Sequence, residues 1–132
     1  MRETTTAPLL GWSRAFPATA AQIREARQFL AGILDGYPAA DDAVLCLSEL
    51  ASNACLHSRS REPGGHFRVR VETHGSRVRV EVTDQGGPWA PSQPHDDQNG
   101  RGLLVVAQLA DDCGRNGDPQ TGWTAWFEIG AE

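Results

Sequence analysis

The spacing of apolar residues changes period along the chain, and each change marks an element. Leu9 to Phe16 reads as a first strand that Pro17 ends. Thr19 can cap a helix in which Ile23, Ala26, Phe29, Leu30 and Ile33 recur at helical spacing, until Gly36 and Pro38 stop it. Asp41 and Asp42 sit where acidic residues favour a helix start. From there Val44, Leu45, Leu47, Leu50, Ala51, Ala54 and Cys55 extend a second apolar stripe to about His57. After the polar loop 58–65 the period falls to two. Phe67, Val69, Val71 and Thr73 alternate with Arg68, Arg70 and Glu72, and Val78, Val80 and Val82 alternate with Arg79, Glu81 and Thr83. His74-Gly75-Ser76 turns one strand into the other, and the arginines read as the solvated face of the sheet.

Past Asp84 the pattern dissolves. Gly and Pro crowd residues 86–91, and a polar, acidic run continues to Gly100, so a lid-like loop over about 85–100 is expected. Leu103 to Leu109 resumes a helix. A turn around Asn116-Gly117-Asp118-Pro119 leads into a last strand, Thr121 to Ile129. The order is strand, two helices, two strands, lid, helix, strand. It predicts an α/β (α+β) two-layer sandwich, with helices on one face of a mixed, mainly antiparallel sheet. Residues 1–8 read as a flexible terminus and 9–132 as one domain, which suits a chain of 132 residues with 39% hydrophobic content.

Charge and cysteine content narrow the function. A net charge of -5 argues against direct nucleic-acid binding, which needs clustered positive charge. All 12 basic residues are Arg, so any phosphate contact must come from Arg, backbone N–H or a metal. Cys46, Cys55 and Cys113 are too scattered for a disulfide framework or a metal cluster. With neither a signal-like start nor a membrane-length apolar run, a soluble cytoplasmic protein is expected.

The candidate chemistry falls in three places. Glu49, Asn53 and His57 are spaced i, i+4, i+8 and stack along one face of the second helix over about 12 Å. A carboxylate and an amide at that spacing suit Mg²⁺ or its waters, and the carboxylate alternatively suits a general base, although such residues also edge most amphipathic helices. Asp84-Gln85-Gly86-Gly87 follows a strand, where a carboxylate can accept from an exocyclic amine and glycine lets a flat ring approach; alone it is usually a turn. Asn99-Gly100-Arg101-Gly102-Leu103-Leu104 precedes a helix, whose first N–H groups can face a polyphosphate.

Taken in order, these segments resemble the GHKL ATPase and kinase superfamily. Glu49 to His57 is similar to its N box, Val82-Thr83-Asp84-Gln85-Gly86-Gly87 to its G1 box and Gly100-Arg101-Gly102-Leu103 to its G2 box. The ending Gly122-Trp123-Thr124-Ala125-Trp126-Phe127-Glu128 is most similar to the anti-sigma-factor serine kinase branch. The resemblance covers roughly residues 9–130 and implies the Bergerat fold, with ATP and Mg²⁺ as cofactors. It implies that Asn53 coordinates Mg²⁺, Glu49 is the general base and Asp84 receives the adenine amino group. Gly86, Gly100 and Gly102 would give backbone room, with Arg101 and Leu103 beside them in the G2 box. Arg24, or its neighbour Arg27, would point toward the γ-phosphate. The function implied is a serine/threonine kinase that phosphorylates an anti-anti-sigma-like partner, sequesters a sigma factor, or both, acting as a homodimer. The alternative is a non-catalytic nucleotide-dependent protein-interaction switch. His57 and Trp89 suit packing as well as ligand contact, and the chain has no room for the phosphoacceptor domain of a histidine kinase.

Overall fold

The computed structural model describes residues 9–57, 62–86 and 104–130. In chain order the elements are β1 (Leu9–Pro17), α1 (Ala20–Ile33), α2 (Ala40–His57), β2 (His66–His74), β3 (Arg77–Thr83), β4 (Asp112–Asp118) and β5 (Gly122–Ile129), with a short helical segment over 104–109 before β4. The strands form one sheet in the order β1-β2-β3-β5-β4. Every pairing is antiparallel, including those for which the order of elements alone left a parallel partner open.

Local signals account for the helix ends. Thr19 stands in extended conformation before α1, and its Oγ1 accepts from the Gln22 N–H at 3.2 Å. Gly36, with φ at +87°, lets the chain leave α1 and turn into α2. Asp41 and Asp42 occupy the first turn of α2, where carboxylates meet the positive end of the helix dipole.

The alternation in β2 and β3 becomes the two faces of the sheet. Register places Val69 opposite Val82, Val71 opposite Val80 and Val80 opposite Phe127, so one face is continuously apolar. Against it lie Leu30 and Leu34 of α1 and Leu47, Leu50, Ala51 and Ala54 of α2, all buried. The alanines of α2 bring its backbone close to the sheet. Phe16 stacks on Phe67 at 5.6 Å and meets Phe29 edge-on at 5.7 Å, which ties β1, β2 and α1 together. On the opposite face Arg79 reaches Glu128 at 2.8 Å and Glu81 at 3.0 Å, and it covers the Trp126 ring at 4.2 Å. This is the expected solvated arginine face, with its charges neutralised across strands.

The second half of the chain corrects one expectation. Asn116, Gly117 and Asp118, read as a turn, belong to β4, an edge strand paired with β5 from Asp112–Glu128 to Asp118–Gly122. Its sequence, Asp-Cys-Gly-Arg-Asn-Gly-Asp, has no β-branched residue, so pairing with β5 rather than propensity makes it a strand. The turn itself lies at 119–121, where Asp118 Oδ1 accepts from the N–H groups of Gln120 (2.8 Å) and Thr121 (2.7 Å). The expected lid beyond Gly86, including Trp89, and the whole Gly100–Leu103 segment lie outside the described residues.

Candidate functional site

The C-terminal half of α2 and the adjoining strand ends enclose a cavity of about 30 Å³. Leu50, Asn53 and Ala54 line it from the helix, and Val82, Asp84, Arg115, Trp123 and Ala125 from the sheet. The fold thus brings Asn53 and Asp84, expected from different segments of the sequence, to one place. Glu49 lies one helical turn before Asn53, half-buried.

Asp84 is fastened from several directions. Its backbone N–H donates to the Trp123 carbonyl at 2.9 Å, extending the β3–β5 ladder by one bond. Its Oδ1 accepts from the N–H groups of Trp123 (3.1 Å) and Gly86 (2.7 Å). Both side-chain bonds fall on Oδ1, so Oδ2 is the oxygen left for a further donor. Next to it, Gln85 Oε1 accepts from the His66 N–H at 2.8 Å and pins the segment to β2. Burial raises the Asp84 pKa above its ordinary value, opposed by the two backbone N–H groups and by the charge of Arg115. The Arg115 pKa moves down, because burial disfavours its charge more than Asp84 supports it.

Gly86 serves a different purpose from the one expected. It is buried at φ +84°, and a Cβ there would run into the Pro119 carbonyl and the Gly122 nitrogen. The room it leaves is taken by the β4–β5 turn, and its own contribution to the site is the N–H that holds Asp84. Gly122 matches it from the other side: at φ +125° its missing Cβ makes way for the Asp84 carbonyl.

Arg24 and Arg27 are exposed on α1, and neither lines the cavity. Gly100, Arg101, Gly102 and Leu103, like the side chain of His57, lie outside the described residues. Two lining residues were not anticipated from sequence. The guanidinium of Arg115 stacks over the Trp123 ring at 4.3 Å, making a flat wall opposite α2. Trp123 stands in an alternating strand and was legible as an inward position, whereas Arg115 was hidden by the reading of β4 as a turn. Among the described residues no group of three or more His, Cys, Asp or Glu is placed to hold a metal, and no helix is long and apolar enough to cross a membrane.

Among solved structures, this architecture is similar to the RsbU and RsbW domains of Rv1364c from Mycobacterium tuberculosis. That match has a TM-score of 0.71 and 22% identity, covering 91% of this chain and 32% of that one. It is also similar to the SiaB–SiaC complex from Pseudomonas aeruginosa, with a TM-score of 0.62 and 12% identity, covering 89% and 88%. At such identities the likeness is one of fold, and the chain spans about a third of the length of the Mycobacterium chain. No curated protein sequence matches it. Residues 16–125, however, match the family described as the histidine kinase-like ATPase domain. That match runs from the Phe16 end of β1 to Ala125 in β5 and takes in both Asn53 and Asp84, so the chain belongs to the histidine kinase-like ATPase domain family.

Proposed function

We propose that this chain binds ATP with Mg²⁺ between α2 and the sheet and acts as a protein serine/threonine kinase on an anti-anti-sigma-like partner, alternately sequestering a sigma factor. The observation that carries the reading is the convergence of Asn53 and Asp84 on one interlayer cavity, with Glu49 one turn along the same helix. Asp84 Oδ2 would accept an N–H of the adenine amino group, while Oδ1 stays committed to the backbone. The donor set fits Mg²⁺, which takes one or two protein oxygens and completes its shell with phosphate and water; Asn53 supplies the amide oxygen. When bound, the ion would neutralise charge on the phosphates. Glu49 would take the proton of a serine hydroxyl as that oxygen bonds to the γ-phosphorus and the bond to ADP breaks. The fold shared with the RsbW-containing and SiaB–SiaC structures supports a partner of this type.

The test is incubation with γ-labelled ATP and candidate anti-anti-sigma proteins. Glu49→Gln is expected to lower label transfer by about 10²–10⁴-fold with ATP binding retained, and Asn53→Ala to weaken Mg²⁺-dependent binding itself. Normal transfer by Glu49→Gln would remove the base from the mechanism. A second reading, a non-catalytic nucleotide-dependent interaction switch, is favoured by the absence of Arg24 and Arg27 from the cavity lining. It requires tight ATP binding with no label reaching any partner.

A further inference from the structure

The cavity beside Asp84, at about 30 Å³, holds little more than a water molecule, whereas ligand pockets run to roughly 300–1,000 Å³. Something must move before a purine enters, and the lining residues differ sharply in their freedom to do so. Leu50, Ala54 and Val82 belong to the buried core, and Ala125 packs against it. Asp84 is held by two bonds on Oδ1, and Trp123 is fixed on both sides, by Asp84 and by its pairing with Gly117. Arg115 is different. It is a long unbranched side chain on an edge strand, with glycine at 114 and 117 and a strand neighbour on one side only.

Resting on the ATP-site reading, we infer that Arg115 is an internal competitor of the base: its guanidinium, stacked on Trp123 within the field of Asp84, holds the slot that a purine must take. The two occupants present the same chemistry, a flat face to the indole and N–H donors to a carboxylate. Base binding therefore exchanges one stacked, aminated plane for another, and Arg115 sets the affinity of the site. Its guanidinium swings toward solvent as the base arrives, which relieves the burial that disfavours its charge.

The experiment is calorimetric titration of wild type, Arg115→Ala and Arg115→Met with adenosine and with ATP and Mg²⁺. Adenosine has no phosphate for an arginine to attract, so it isolates the base slot. Both variants are expected to bind adenosine about tenfold tighter than wild type, the scale of a desolvated cation–π contact. Added methylguanidinium should reverse the gain in Arg115→Ala. The methionine variant keeps the apolar stem, guarding against loss of the fold. Equal or weaker adenosine binding by both variants, with wild type still binding ATP, overturns the competitor and leaves the ATP site standing. A gain that methylguanidinium does not reverse assigns the effect to bulk alone and also overturns it. Failure of all three proteins to bind either ligand removes the ATP reading and this inference together.

Discussion

Asp84 is the residue at which stability and function pull apart. Its two backbone bonds require only an acceptor, which an amide oxygen provides as well as a carboxylate. The negative charge is costly there, since burial raises the pKa despite those bonds and Arg115. A raised pKa means that the folded state holds the proton more tightly than the unfolded state. Between the ordinary carboxylate value and the raised one, stability then falls as pH increases. Asp84→Asn is accordingly expected to melt at or above the wild-type temperature at neutral pH. The gap should close as pH falls through and below about 4, where wild type is protonated as well. The same variant should lose base binding, because Asn in the Oδ2 position offers a donor where an acceptor is needed. Thermal melts across that range check the claim, and a lower melting temperature for Asp84→Asn at neutral pH would show that attraction to Arg115 outweighs burial.

At the scale of elements, the hairpin of β4 and β5 builds half of the site, and it is where sequence was least informative. Both long helices and β2–β3 could be read directly, because each carries a long periodic stripe or a strict alternation with clear punctuation at Gly36 and Gly75. β4 offers neither, and its residues are half-exposed or exposed. Pairing with β5 creates it, and a contact made by long-range pairing leaves no local pattern. The glycines of this hairpin show the constraint. At Gly122 a Cβ would strike the Asp84 carbonyl, and the backbone sits at φ +125°. Gly122→Ala should cost about 1–3 kcal/mol and displace Asp84 through the bonds it shares with Trp123. Gly32, near the end of α1, is the contrast, because nothing lies within 4 Å of a Cβ there. Gly32→Ala should stabilise by about 0.4–1 kcal/mol. Urea denaturation of the two variants distinguishes a site-building glycine from a replaceable one. Equal effects would deny β4–β5 its special geometry.

For the whole molecule, the position of the cavity matters more than its size. It lies between the two layers, walled by Leu50 and Ala54 of the helical layer and by Val82 and Ala125 of the sheet, residues that also belong to the core or pack against it. The layered plan follows from hydrophobic period alone. The meeting of Asn53 with Asp84 could be expected only from the resemblance of the ordered boxes, and the Arg115–Trp123 wall not at all, since register across β4 and β5 makes it. A ligand gripping both layers must be lost when they separate, so its binding free energy adds to global stability. At a concentration of 100 times Kd the gain is about 2.7 kcal/mol, or roughly 10 °C in Tm for a domain of this size. Leu47→Ala removes a fully buried contact of α2 with the sheet, away from the lining, and should cost about 2–5 kcal/mol. If ATP with Mg²⁺ binds between intact layers, the variant should gain the same increment as wild type at equal saturation, from a lower starting point. Scanning calorimetry with and without nucleotide measures both increments. A gain in wild type that disappears in Leu47→Ala would mean that the site needs more of the helix–sheet packing than its own lining, and that the layers open locally before they unfold together.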